Sequence, residues 1–153
     1  LLVAAKSMET FKMMQQLFAS REVVKHYTAL LQGVPRNSSG VVELPLAPDY
    51  SNRPRQKVDY ASGKHAITRY ELLKVVEHDG EQCALVRFTP VTGRTHQLRV
   101  HAAHADGLDC PIVGDAIYGS AGKRLMLHAS SLSFVHPVSG NVVNVESDIE
   151  FEE

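Results

Sequence analysis

Apolar and polar residues change their spacing several times along the 153-residue chain, and each change marks an element. Residues 1–5 form a short unbroken apolar run, which predicts a buried strand. Ser7 then stands as an N-cap before a stretch where Phe11, Met14, Leu17 and Phe18 recur at three- and four-residue steps. That spacing predicts a helix to about Ala19 with those four side chains on its buried face. The adjacent Met13 and Met14 fit core packing better than a soft binding groove. Over residues 23–31 the period falls to two. Val24, His26, Thr28 and Leu30 share one face of the predicted strand; Val23, Lys25, Tyr27, Ala29 and Leu31 share the other.

Residues 33–40 are rich in turn formers, residues 41–46 predict a further strand, and residues 47–64 form the longest irregular segment. Alternation returns over residues 65–76 and 82–89, around Asp79-Gly80, a strong hairpin signal. A short helix is predicted next, with Thr95 as N-cap and Leu98 and Ala102, four residues apart, facing inward. It should stop near Ala105, where Gly107 could supply a left-handed backbone. Residues 125–135 predict a strand, residues 138–141 a turn, and residues 142–145 a returning strand. This order predicts an α+β fold, a mixed, mainly antiparallel sheet with a few flanking helices. Residues 1–146 would form the domain and residues 147–153 an acidic tail.

Composition narrows the picture little: 44% hydrophobic and 22% charged residues are ordinary for one globular domain. No apolar run reaches the roughly 18 residues of a membrane span, and the first residues lack the basic region of a signal peptide, so a soluble, cytoplasmic protein is expected. Cys83 and Cys110 have no CxxC spacing and should both be reduced. Charge is more informative. The net charge of -1 conceals five acids in the last eight residues, which leaves residues 1–145 with 16 basic against 12 acidic groups, a net +4.

The densest chemistry is the run Thr92-Gly93-Arg94-Thr95-His96-Gln97-Leu98-Arg99-Val100-His101. So many donors are costly to bury unless each has a partner, and their convergence points to an anionic ligand. Arg53, Arg55, Lys57 and Lys64 cluster in the irregular segment, either as a solvated loop or as sequence-independent phosphate contacts. A metal site built from His96, His101, His104 and Cys110 is a weaker reading. On a helix His96 lies more than about 100° off the face shared by His101 and His104.

Residues 93–101 resemble the GRTHQ-(I/L)-R-VH signature of pseudouridine synthases of the RluA type. Pro111-Ile112-Val113-Gly114-Asp115, Tyr118-Gly119, Leu127-His128-Ala129 and the 136–140 turn follow in that family's order. The resemblance implies an enzyme that isomerises uridine to pseudouridine in ribosomal or transfer RNA, with no metal and no organic cofactor. It implies catalytic roles for Tyr27, at the place of the family's K-x-Y-x-A tyrosine although plain sheet packing also suits it, for Arg99, which would pair with the nucleophilic aspartate, and for Leu127, an apolar wall beside the base. It assigns RNA contacts to Arg53, Arg55, Lys57, Lys64, Arg94 and His96. The family's aspartate lies in an H-R-L-D-x-x-T-S-G loop, and no such loop occurs in this sequence. Three expectations follow: the chain alone is inactive, Arg99 is an unpaired cation or holds a solvent anion, and an exposed sheet edge favours self-association. Asp115 would cap backbone amides rather than react. The rival is a non-catalytic RNA-binding domain.

Overall fold

The computed structural model describes residues 1–149 and 151. Helix α1 (Met8–Ala19) starts as the sequence requires, with Ser7 Oγ accepting from the Thr10 amide at 3.2 Å. Strands β1 (Val24–Gln32), β2 (Ser39–Glu43), β3 (Leu46–Pro48), β4 (Gln56–Val58), β5 (Ile67–His78) and β6 (Glu81–Pro90) follow. Helix α2 (Gln97–Ala103) then precedes β7 (Leu127–Val135) and β8 (Val142–Glu146). Six strands form one sheet in the order β2-β5-β6-β1-β7-β8, every neighbouring pair antiparallel. The α+β class is as expected. No helix among the described residues is long and apolar enough to cross a membrane.

The β5–β6 hairpin is the longest ladder, and its turn needs positive φ at both central residues, met by Asp79 (50°) and Gly80 (77°). Alternation along β1 and β6 sends Ala29, Leu31, Ala84, Val86 and Phe88 to one face. There Leu98 and Ala102 of α2 and the segment Leu108, Cys110 and Ile112 cover them, forming the main core. Between β1 and β7 the register shifts at His26/Tyr27. Ser130 is the extra residue, and its hydroxyl donates to the His26 carbonyl at 3.1 Å. Such a bulge bends the strand and re-aims neighbouring side chains, here beside Tyr27.

Four local expectations fail for identifiable reasons. Residues 1–5 form no strand, and Leu2 is 85% exposed: Leu1 lies beside Ala129 of β7, a strand already paired on both sides by β1 and β8, so the run has no ladder edge to join there. Helix α1 buries only Met14 of its four expected core residues, with Leu17 half-buried. It rests on Val23, Leu132, Phe134 and Val143 at the sheet margin, a contact too narrow to cover Phe11 and Phe18 as well. Thr95 does not cap α2: His96 precedes the helix in a left-handed conformation (φ 53°) and gives no side-chain cap. Gly107 is required not for positive φ but for closeness, since a Cβ there would collide with the His101 carbonyl oxygen. The segment expected to be irregular contains the small β3–β4 ladder. The described part of the acidic tail packs back, with the Arg124 guanidinium 5.5 Å from the Phe151 ring centre; Glu150, Glu152 and Glu153 lie outside the described residues.

Candidate active site

Three separated segments meet at one cavity of about 150 Å³. Strand β1 brings Lys25 and Tyr27, the turn after β6 and the start of α2 bring Gly93, Arg94, His96 and Arg99, and β7 begins with Leu127. Tyr27 pairs across the ladders with Phe88 and Ala129, which places its ring at the rim of the core, and burial raises its phenol above the ordinary value. All three residues that the sequence marks as catalytic therefore share a cavity with two of those assigned to RNA, Arg94 and His96.

Arg99 is not an unpaired cation. Its Nε donates to Asp115 Oδ2 at 2.8 Å and its Nη2 to Oδ1 at 2.6 Å, a bidentate pair in which Asp115 is 1% exposed. The expectation fails because it counted only the family's own aspartate as a partner, whereas the chain folds Asp115 onto the same guanidinium. Asp115 also caps as expected, Oδ1 accepting from the amides of Ile117 and Tyr118. Burial alone would push its carboxyl up. The Arg99 hydrogen bond, the Tyr118 and Ile117 amides and the Arg99 charge outweigh that and hold it below the ordinary carboxylate value. The same bonds push Arg99 further up. A carboxylate so engaged is a poor nucleophile; its work is to hold Arg99.

Tyr118 entered the sequence reading only as part of a motif and was given no role in the site. The guanidinium of Arg99 lies 5.2 Å from its ring centre and that of Arg55 5.2 Å as well. Its hydroxyl accepts from the Gln56 amide at 2.7 Å, leaving its own proton for His96 Nδ1 at 2.9 Å. Burial and the Arg99 charge lower the His96 pKa, so the ring is neutral near pH 7. The only trace of this hub in the sequence is Tyr118 three residues after a turn aspartate.

The other face of the same run is sealed. Gln97 Nε2 donates to the Ile67 carbonyl and Thr68 Oγ1, and its Oε1 accepts from Thr92 Oγ1 and the Arg94 amide. His101 Nε2 faces the Leu44 carbonyl, which can only accept, so Nδ1 takes the Thr68 hydroxyl proton. With both nitrogens used and full burial lowering its pKa, His101 is a structural residue. These bonds tie α2 to β5 and so aim Arg94, His96 and Arg99 outward.

The basic loop residues stand elsewhere. Arg53 lies over Tyr50, and Arg55 and Lys57 line a second cavity of about 320 Å³ beyond Tyr118; hydrogen bonds from Asn52 to Asp49 and from Ser62 to Asp59, with a smaller contribution from the Lys57 charge, hold those two carboxyls low. Lys64 pairs through its backbone with Leu46. Arg94 Nε is spent on the His65 carbonyl at 3.0 Å, leaving its two terminal nitrogens.

The antiparallel α+β sheet and its cavity set the frame, and comparison with known proteins places the chain within it. The family model described as RNA pseudouridylate synthase matches residues 1–104. The dual-specificity RNA pseudouridine synthase RluA of Haemophilus ducreyi is 40% identical over 159 residues, covering 99% of this chain and 69% of its own length. Its Escherichia coli counterpart is 40% identical over 155 residues, covering 98% and 68%. Among solved structures, human RNA pseudouridylate synthase domain containing 1 superposes with a TM-score of 0.82 at 29% identity, covering 97% of this chain. Human RNA pseudouridylate synthase domain containing 4 does so at 0.73 and 28%, covering 95%. The chain spans 63% and 65% of those two chains, under two thirds of each. The chain belongs to the RNA pseudouridylate synthase family, among its RluA-type members.

Proposed function

We propose that the complete protein isomerises uridine to pseudouridine in structured RNA of the ribosomal or transfer class, in the cytoplasm. The N1–C1′ bond of the nucleoside breaks, a C5–C1′ bond forms, C5 gives up a proton and N1 gains one. The observation that carries this reading is the single cavity shared by Tyr27, Arg99 and Leu127, which come from positions far apart in the chain. A uridine must leave its stack to enter it. Tyr27 then lies against the base and is the group placed to take the C5 proton, Leu127 closes the apolar side, and Arg99 offers the edge of its guanidinium not used by Asp115. Arg94 and His96 meet the nucleotide's backbone, and Arg53, Arg55, Lys57 and Lys64 meet phosphates further along. That relatives carry the name dual-specificity supports more than one RNA class.

Among the described residues, no carboxylate lines the cavity. The 153 residues alone are therefore expected to bind RNA and convert nothing. The test is to incubate the complete natural chain and the 153-residue chain with ribosomal and transfer RNA and to quantify pseudouridine. Activity in the first and none in the second supports the reading. In the active protein Arg99→Lys should lower kcat by about a hundredfold or more, because an ammonium cannot reproduce the bidentate pair. Two inactive proteins that both bind RNA would replace the enzyme with a non-catalytic RNA-binding domain.

A further inference from the structure

A larger cavity, about 380 Å³, adjoins the uridine pocket and shares Lys25, Thr92, Gly93 and Arg94 with it. Three cations line it, Arg21, Lys25 and Arg94, and among the described residues no carboxylate does. The nearest acid in sequence, Glu22, is turned to the Ser20 hydroxyl. Burial lowers the pKa of Lys25.

Two features place side chains in this groove that the core does not use. Helix α1 ends in a Schellman motif, with the Glu22 amide bonded to the Leu17 carbonyl and the Arg21 amide to the Phe18 carbonyl. The residue at its left-handed position is Arg21, φ 63°, where glycine is strongly favoured and a side chain is strained. Backbone strain of this kind clusters at active and ligand-binding sites. Phe18, helical and apolar, is 41% exposed instead of joining the core, and its ring lies 5.4 Å from the Lys25 ammonium.

We propose that the groove bounded by Phe18, Arg21, Lys25 and Arg94 is a binding site for the single-stranded RNA next to the target uridine. Arg21, Lys25 and Arg94 take successive phosphates, and Phe18 is a platform on which a neighbouring base stacks. Cations along a backbone track plus an exposed aromatic are the combination that holds unpaired nucleotides without reading their sequence. The groove leads directly from the cavity holding Tyr27, so the strand continues from one into the other. This rests on the reading of the chain as an RNA enzyme and adds a site outside the loop of residues 47–64.

The test uses the complete natural chain and a labelled RNA stem-loop with uridines in its loop, titrated at several salt concentrations. A fully paired duplex of the same stem is the control. Arg21→Gly relieves the left-handed position, so its thermal midpoint should stay level or rise. Its RNA affinity should nevertheless fall, and the slope of log affinity against log salt should lose about 0.7, one phosphate's worth for a single strand. Phe18→Ala should weaken the stem-loop about tenfold with the salt slope unchanged, and leave the duplex unaffected. Unchanged affinity and slope in Arg21→Gly overturns the proposal, as does a Phe18→Ala loss equal on stem-loop and duplex. A wild-type protein that binds the stem-loop but forms no pseudouridine would instead sink the enzyme reading, and the same titrations would still decide the groove.

Discussion

Residues 92–101 carry two opposite solutions to one problem, the placing of many hydrogen-bond donors in ten residues. On the inner face Thr92, Gln97 and His101 are buried, and each polar atom meets a backbone or hydroxyl partner on β5, the β2–β3 link or the run itself. On the outer face Arg94, His96 and Arg99 keep part of their capacity unspent and line an open cavity. The contrast teaches that the cluster's density is not itself the functional signal. Half of it anchors so that the other half can be aimed, and the anchoring half tolerates substitution least.

The comparison breaks most visibly at His101. Truncation by His101→Ala removes two buried hydrogen bonds and leaves a void beside Leu44 and Thr68, so the protein should lose about 3 kcal/mol. Urea unfolding would measure it, and a change below about 0.5 kcal/mol would mean that the network is not the anchor.

pH sharpens the comparison next. The folded value of His101 is depressed by burial, so below the ordinary histidine value the unfolded chain binds the extra proton and the folded one resists it. Its contribution is fully present above about pH 6.5 and is lost as pH falls through that value, at no more than about 1.4 kcal/mol per pH unit. Asp115 has a carboxyl held low and adds a second loss, beginning as pH falls through about 3.9 and complete only below its folded value. Melting temperatures across pH 4 to 8 should show the first limb in the wild type and a smaller one, left to His96, in His101→Gln; a limb undiminished in that variant would assign it away from His101.

The smallest effect belongs to the outer face. Tyr118→Phe keeps the ring between Arg55 and Arg99 but removes the partner of the Gln56 amide and of His96, at about 1 kcal/mol. Urea midpoints compared with the wild type should show that modest drop. A loss as large as that of His101→Ala would place Tyr118 among the anchors instead.

Much of the fold was legible because strand periodicity and turn chemistry are local. The 79–80 hairpin, the β7–β8 return, the Ser7 cap and the pairing of β1's two faces all follow from residues within a few positions of one another. Helix α1's face and residues 1–5 were not legible, since whether an apolar side chain is buried depends on which sheet edge or margin remains free after the other elements have docked.

For the candidate site, the sequence alone marked Tyr27, Arg94, His96, Arg99 and Leu127 by motif and order, and the five line one cavity. Only the tertiary structure decided that Asp115 occupies Arg99, that Tyr118 joins the loop to the pocket, and that Gln97 and His101 are spent on the core. The physical reason is range. A motif records which groups are present, but a hydrogen bond or ion pair forms between groups only a few ångströms apart, and for Arg99 on α2 and Asp115 in the following loop, sixteen residues apart in sequence, that closeness is a product of the tertiary fold.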